Sequence, residues 1–183
     1  MKLVLATSNI NKVREARELL GFEIGHARIK LEEIQSIHTA NVARHKAMQA
    51  YGKLGKPVIV EDTGLYIEGL GGFPGALVKW FAIGAGYQKI CRIVDLCEKR
   101  DAYAETSIVF YDGKTTGLFS GKTRGSIAIN PRGKRYFGWD CIFVPNGYAK
   151  TFAEMSSKDK NRISMRRHAF AKLGRFLSEN GLI

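Results

Sequence analysis

The feature that most constrains the fold is a short apolar run, Val58-Ile59-Val60, which is followed directly by two carboxylates, Glu61 and Asp62. A continuous apolar run of this length, bounded by Pro57 and a polar turn, is typical of a strand that is buried on both faces. Other elements must then cover both sides of the sheet, which predicts an α/β fold. We expect the strand to end at the turn 61–64, and open α/β sheets bind ligands at such strand ends.

The rest of the sequence alternates strand-like and helix-like segments early and has hairpin signals late, which predicts one mixed-sheet domain over residues 1–183. Asp112-Gly113 marks a hairpin turn, and Ser156 with Asp159 begins the last helix as a capping pair. The further expected strands lie at 3–6, 65–67, 103–111, 115–120, 125–129 and 141–144. The expected helices lie at about 13–20, 39–51, 90–97 and 157–177.

Charge and cysteine content limit the class of protein. The chain has 29 Lys and Arg against 17 Asp and Glu, a net charge of +12, which favours a polyanionic partner such as nucleic acid, a membrane surface or a phosphorylated small molecule. Its three cysteines lack the spacing of a disulfide framework or a zinc site. No apolar run approaches the roughly 18 residues that a membrane-spanning helix needs, and none resembles a signal peptide. We therefore expect a cytoplasmic protein without a membrane partner.

A polar loop lies where the first strand is expected to lead into the first helix. A helix N-terminus offers unpaired backbone N–H groups and the positive end of the helix dipole, so this loop can cradle a phosphate. Lys12 adds a positive charge in the first turn. The alternative is a polar helix cap with a solvated lysine. The residues of the loop are Thr7, Ser8, Asn9, Ile10, Asn11 and Lys12.

The Glu61-Asp62 pair indicates a second component of a phosphate site. Successive strand residues face opposite sides of a sheet, so only one of the two carboxylates can enter a given cleft. Mg²⁺ typically takes one or two carboxylates together with phosphate oxygens, and an acidic turn in a basic protein therefore suggests this ion. The alternative is a solvated loop start.

Two further features fit either a ligand site or the core. Phe137, Trp139 and Asp140 could form a nucleobase pocket, because aromatic rings stack on bases and a carboxylate accepts hydrogen bonds from base N–H groups. The same aromatic residues could equally belong to the core. Arg166 falls on the apolar stripe of the last helix, so it must pair with an internal carboxylate or with a ligand anion.

Several segments carry a family resemblance, in order, from residue 7 to about residue 170. They are Thr7-Ser8-Asn9-x-x-Lys12, Glu61-Asp62-Thr63-Gly64-Leu65, Gly71-Gly72-Phe73-Pro74-Gly75, Phe137-Gly138-Trp139-Asp140, Thr151-Phe152-Ala153-Glu154-Met155 and Lys160-Asn161. Together they resemble the inosine triphosphate pyrophosphatase family. The resemblance implies Mg²⁺-dependent hydrolysis of ITP, dITP and XTP to the monophosphate and pyrophosphate, which cleanses the nucleotide pool. It also implies an elongated α/β fold with a long mixed sheet, two lobes and a central nucleotide cleft, and a homodimer.

The resemblance also implies roles for individual residues. Asp62 would be the general base and a metal ligand, and Glu33, which lies beside Glu32, would be the second metal ligand. The nucleotide-binding residues would be Thr7, Ser8, Asn9, Ile10, Asn11, Lys12, Thr63, Phe137, Gly138, Trp139, Asp140, Lys160 and Arg166. A lysine that the family often has in its second helix corresponds to either His45 or Lys46.

The sequence departs from the family pattern at one position in the last helix, and two other functions remain as alternatives. Met165 stands where the family commonly has a histidine, so the base or ribose contact of that histidine does not transfer to this chain. A nucleic-acid-binding protein would account for the net charge, but it gives no reason for the Glu61-Asp62 turn. A pyrophosphatase for modified pyrimidine or methylated nucleotides is the rival from within enzymes.

Overall fold

The structure is a computed structural model that describes residues 3–21, 23–134 and 138–183, and these form a seven-stranded mixed sheet with helices on both faces. The strands are β1 (Val4–Ala6), β2 (Gly25–Ala27), β3 (Val58–Ile67), β4 (Pro74–Gly75), β5 (Asp101–Tyr111), β6 (Thr116–Ile127) and β7 (Phe143–Pro145). The α-helices are α1 (Ile10–Leu20), α2 (Thr39–Leu54), α3 (Val78–Ala85), α4 (Tyr87–Val94), α5 (Ser157–Ile163) and α6 (Met165–Glu179). Short 3₁₀ helices lie at Glu68–Leu70, Gly138–Ile142 and Phe152–Glu154.

The sheet order is β2-β1-β3-β5-β6-β7, with β4 paired to β3 beside that path. Strand β1 runs parallel to both β2 and β3, whereas the other pairings are antiparallel. The predicted α/β fold with a mixed sheet is therefore confirmed. The predicted hairpin is also confirmed: β5 and β6 flank a turn in which Asp112 Oδ1 accepts hydrogen bonds from the backbone N–H groups of Lys114 and Thr115.

Strand β3 is longer than the sequence predicted, and the expected break at residues 61–64 is wrong. Antiparallel pairing with β5 continues without interruption from Val58 to Ile67, so the polar turn remains part of the strand. Gly64 allows β4 to approach, since a Cβ there would lie 2.7 Å from the carbonyl carbon of Gly75. Strand β1 ends at Ala6, as predicted, and its pairing with β3 stops at Leu5 and Ile59. The carboxylates of β3 thus lie just beyond the carboxyl end of their parallel neighbour.

The hydrophobic core consists of clusters on both faces and at both ends of the sheet. Helices α1 and α6 pack on Ile59, Ile108 and Phe110, whereas α2 packs on Val58 and Val60. A separate cluster joins the start of β5 and the end of β6 to α3, α4 and the Gly138–Ile142 segment. Strand β5 is about 35 Å long at 3.3 Å per residue. This separate cluster packs at its start and the clusters of α1, α2 and α6 pack at its end, so the molecule has two lobes.

The last helical region is divided, which corrects the prediction of one helix over 157–177. Ser164 has an extended backbone, with φ −70° and ψ 146°, and it ends α5 while its side chain caps α6 by accepting from Arg167 N. The predicted strand pair at 125–129 and 141–144 is shorter than expected, because only 125–127 and 143–145 pair as β6 and β7. Within the described residues, no helix is both long and apolar enough to cross a membrane.

Candidate active site

A cavity of about 590 Å³ lies between the two lobes, at the carboxyl end of β1. It brings together residues that are far apart in the sequence, from the loop after β1, from β3, from α3 and from the Gly138–Ile142 segment. The predicted site residues in its wall are Thr7, Ser8, Asn9, Lys12, Glu33, Asp62, Thr63, Gly138, Trp139, Asp140 and Arg166. Phe137, which was also predicted, lies outside the described residues.

The loop from β1 to α1 forms one side of the cavity. Thr7 Oγ1 accepts a hydrogen bond from Asn9 N at 3.1 Å, and Asn9 caps α1 by accepting from Asn11 N at 3.0 Å. Ser8, Asn9 and Lys12 line the cavity, so the N-terminal end of α1 borders it, and a helix N-terminus can bind phosphate. Of the predicted loop residues, Ile10 and Asn11 do not line the cavity, and Ile10 is 67% exposed.

Lys12 lines the cavity next to this loop and contacts Glu61, which lies behind the cavity wall. Lys12 Nζ lies 3.3 Å from Glu61 Oε1 and 3.4 Å from the Glu61 carbonyl oxygen. Burial lowers the pKa of Lys12, and the charge of Glu61 opposes that shift. Burial would raise the pKa of Glu61, but Arg166 and Lys12 outweigh it and hold that pKa below its usual range. Glu61 is thus an ionised anchor for cations beside the cavity.

Asp62 faces the opposite side of β3 and is held by a lysine from α2. Lys46 Nζ donates to Asp62 Oδ1 at 3.2 Å and to Glu33 Oε1 at 3.0 Å. Asp62 Oδ2 is buried and has no hydrogen-bond partner among the described residues. Burial raises the pKa of Asp62 above its usual value. Of the two basic residues that the sequence left open, Lys46 lines the cavity and His45 does not.

The carboxylates next to Lys46 fit a divalent cation that also requires substrate oxygens. Glu33 lines the cavity, whereas Glu32 is exposed and its backbone N–H bonds to Gln49. Residues 3–21, 23–134 and 138–183 contain no group of three or more His, Cys, Asp or Glu side chains that could hold a metal ion by themselves. Mg²⁺ needs only one or two carboxylates when phosphate oxygens and waters supply the remaining ligands. Asp62 and the partly exposed Glu33 both line the cavity and provide such a pair of carboxylates.

The far wall of the cavity comes from the second lobe. Trp139 lines it and packs edge-on against Phe143, with ring centroids 5.8 Å apart, so the indole belongs to both the core and the cavity. Asp140 Oδ2 accepts a hydrogen bond from Lys160 Nζ at 2.6 Å. Burial raises the pKa of Asp140, although the charge of Lys160 opposes the shift. A carboxylate with a firmly fixed orientation therefore borders the cavity beside an aromatic ring.

Arg166 and Lys160 are held by internal carboxylates. Arg166 is fully buried and pairs with Glu61 and Glu15, and its Nη2 lies 3.4 Å from Thr63 Oγ1. Of the two alternatives for Arg166, the structure therefore has the internal carboxylate, although the residue also borders the cavity. Lys160 does not line the cavity, and it contacts Asp140 and Glu15.

Sequence reasoning missed Glu15 and Lys79. Glu15 is buried in α1 and forms ion pairs with both Arg166 and Lys160. Its position between the apolar residues Val13 and Ala16 could have indicated a buried carboxylate. Lys79 lines the cavity from the first turn of α3, next to Trp80. Its signal was a basic residue shortly after the glycine-rich loop, at the start of a helix. Most of the apolar and aromatic part of the wall was also missed. It consists of Ala6, Ile29, Leu31, Ala76, Val78, Ala82, Ile83 and Tyr87, together with Trp139.

Known proteins resemble the chain in sequence and fold. The sequence model of the Ham1 family matches residues 3–176. The inosine triphosphate pyrophosphatase of Kluyveromyces lactis is 40% identical over 191 residues, covering 99% of this chain and 98% of the relative. The dITP/XTP pyrophosphatase of Hyperthermus butylicus is 38% identical over 182 residues, covering 98% and 96%. The solved structure of a HAM1 protein from Coxiella burnetii superposes with a TM-score of 0.84 at 28% identity, covering 98% of this chain and all of that one.

Proposed function

The chain belongs to the Ham1 family, and from that premise we propose that it hydrolyses ITP, dITP and XTP to the monophosphate and pyrophosphate in a Mg²⁺-dependent reaction. The names of the similar proteins support the substrate class. The observation that carries the proposal is Asp62 Oδ2, which is buried without a hydrogen-bond partner among the described residues, while Lys46 holds Oδ1. A buried carboxylate with one unused oxygen can accept a proton from an attacking water.

The polyphosphate would lie along the loop that begins α1. Backbone N–H groups of the first helical turn would donate to phosphate oxygens, and Lys12 and Lys79 would supply positive charge from two sides of the cavity. When bound at Asp62 and Glu33, Mg²⁺ would neutralise charge on the phosphate oxygens. Phosphoryl transfer depends mainly on such positioning and charge neutralisation, so no covalent intermediate on the protein is required.

Asp62 would act as the general base for attack at the α-phosphorus. A water oxygen would bond to that phosphorus, the bond to the bridging oxygen of the β-phosphate would break, and pyrophosphate would leave. The water proton would pass to Asp62 Oδ2, while Lys46 keeps Oδ1 in place. Burial raises the pKa of Asp62, which makes its carboxylate a stronger base than an exposed aspartate.

The purine would bind against the second lobe. Trp139 offers an aromatic surface, and Asp140, fixed by Lys160, offers an acceptor for base N–H groups. A pocket that matches a 6-oxo purine would reject bases that leave buried polar groups unpaired, because that mismatch carries the largest penalty. The names of the similar proteins favour purine nucleotides over the modified pyrimidine alternative.

We propose in addition that residues 1–183 form one catalytic domain and that the enzyme is a cytoplasmic homodimer, as the family resemblance implies. The exposed apolar residues Trp80 and Ile83 on α3 are compatible with an interface near the cavity. Size-exclusion chromatography with light scattering tests the dimer, since a mass near 20 kDa instead of twice the chain mass of 20.4 kDa would reject it.

Pyrophosphate release from a nucleotide panel tests the proposal. We expect turnover of ITP, dITP and XTP with Mg²⁺, slow turnover of GTP and ATP, and no turnover after addition of EDTA. Equal rates for all five nucleotides would reject selection for non-standard purines. Absence of pyrophosphate release from every nucleotide, with salt-sensitive binding to oligonucleotides, would support the nucleic-acid alternative.

A further inference from the structure

His26 lies outside the cavity wall and contacts Thr7, the first residue of the loop 7–12. It lies on the edge strand β2, its side chain is exposed, and its Nε2 lies 2.8 Å from the carbonyl oxygen of Thr7. A carbonyl oxygen only accepts hydrogen bonds, so Nε2 carries the proton in this contact. The backbone N–H of Thr7 donates to the carbonyl of the next β2 residue, Ala27, at 3.1 Å. Both backbone polar groups of Thr7 are therefore held by consecutive residues of β2.

Thr7 matters because the rest of the loop is built on it. The ladder between β1 and β2 ends at Ala6, so Thr7 is the first residue beyond the regular sheet. Its hydroxyl accepts from Asn9 N, and Asn9 in turn caps α1, where Lys12 lies in the first turn. A displacement of Thr7 would move the Asn9 cap and the first turn of α1, which carries Lys12.

From this geometry we propose that His26 is a positioning residue that fixes the loop 7–12 in its polyphosphate-binding conformation. The inference rests on the proposed function, because it assigns His26 an effect on the same site. Strand β2 is paired to β1 over three residues, so it provides a fixed support for an irregular loop. The side chain reaches the loop from outside and does not touch the cavity, so it acts through Thr7 and not through the substrate.

Paired substitutions separate this role from a general structural one. Gln is the conservative replacement, because its terminal amide can donate from nearly the position of Nε2, whereas Leu has similar size and no donor. His168, an exposed histidine on α6, provides the control His168→Leu. For each variant we would measure the dissociation constant for inorganic tripolyphosphate by calorimetry, KM and kcat for ITP, and the thermal midpoint.

We expect His26→Leu to raise the tripolyphosphate dissociation constant and the KM for ITP by about 3- to 10-fold, the range for loss of one ordinary hydrogen bond. The kcat and the thermal midpoint should change little, because an exposed side chain on an edge strand contributes little to the core. His26→Gln should restore both constants to within about twofold, and His168→Leu should match the wild type.

Four outcomes are decisive. Unchanged tripolyphosphate binding in His26→Leu, or a Gln variant as impaired as the Leu variant, would overturn the role of His26. Failure of the wild type to bind tripolyphosphate would also overturn it. Tripolyphosphate binding that depends on His26 in a protein that hydrolyses no nucleotide would reject the proposed reaction and support the positioning role.

Discussion

Arg166 and Glu61 form a fully buried ion pair in which the guanidinium donates from Nε to Oε2 at 2.9 Å and from Nη2 to Oε1 at 3.0 Å. The pair ties α6 to the middle of β3. Glu61 therefore lies on the side of the sheet that α1 and α6 cover. Because successive strand residues face opposite sides, Asp62 lies on the side of α2 and lines the cavity. The expectation that only one of the two carboxylates serves the cleft agrees with this arrangement.

The first prediction concerns stability. Glu61→Ala would remove the bidentate carboxylate partner of the buried Arg166. It should lower the free energy of unfolding by about 3 kcal/mol or more, because a buried charge loses its partner. The matched control is Glu105→Ala, which removes the partner of the half-exposed Lys122 and should cost about 1 kcal/mol or less. Urea unfolding at pH 7 measures both values. Equal losses in the two variants would contradict a structural role for the Glu61 pair.

The second prediction is the pH dependence of that stability. The pKa of Glu61 is lower in the folded protein than its ordinary value of 4.5, because Arg166 and Lys12 outweigh the effect of burial. Its ionised form therefore stabilises the fold above pH 4.5, and the contribution is lost as the pH falls through the lowered pKa. The gap in urea midpoint between wild type and Glu61→Gln should be largest near neutral pH and should narrow below pH 4. A gap that widens on acidification would show that the sign is wrong.

The third prediction concerns Asp62, whose pKa shifts in the opposite direction to that of Glu61. Burial raises the pKa of Asp62 above 3.8, so folding favours the protonated form and ionisation at neutral pH costs stability. Asp62→Asn should therefore be at least as stable as the wild type at pH 7, yet its kcat for ITP should fall by about 100-fold or more. A variant with normal turnover would eliminate Asp62 as the base.

The sequence predicted those parts of the site that depend on local structure. The loop 7–12 and the Glu61-Asp62 pair were predicted because a strand leading into a helix, and carboxylates after an apolar run, are each visible in a single stretch of chain. The choice of Asp62 within that pair came from the family resemblance. In the structure Thr7, Ser8, Asn9, Lys12 and Asp62 line the cavity, whereas Ile10, Asn11 and Glu61 do not. The sequence could not decide between His45 and Lys46 or between Glu32 and Glu33. Each choice depends on how α2 and the segment before it pack on β3.

Long-range pairing accounts for the errors in the predicted elements. Residues 61–64 have turn-like composition, but ten consecutive pairs with β5 keep them extended. The helix over 157–177 has continuous helical periodicity, but it breaks at Ser164 because that side chain caps α6, whose first turn lies against Gly121 of β6. In both places tertiary contacts override the local preference.

The fourth prediction distinguishes Glu33 from its neighbour. Glu33 lines the cavity and accepts a hydrogen bond from Lys46, whereas Glu32 is exposed. Glu33→Gln should raise the Mg²⁺ concentration for half-maximal turnover of ITP by about 10-fold, because a neutral amide is a weaker ligand for a hard cation. Glu32→Gln should leave that concentration unchanged. An equal effect of both substitutions would indicate that the charge of the segment, and not a ligand position, is responsible.

The last prediction concerns Lys79, which reaches the cavity from the second lobe. It lies in the first turn of α3, its ammonium is 5.0 Å from the Trp80 ring, and its charge helps to lower the pKa of Glu33, where burial opposes the shift and Lys46 contributes more. Lys79→Met keeps most of the side-chain volume and removes the charge, so it should raise the KM for ITP by about 3- to 10-fold at low ionic strength, with a smaller effect at 0.5 M salt. Lys89→Met, an exposed position on α4, is the control and should leave KM unchanged. If the KM ratio between Lys79→Met and the wild type is the same at both salt concentrations, the side chain contributes through packing and not through its charge.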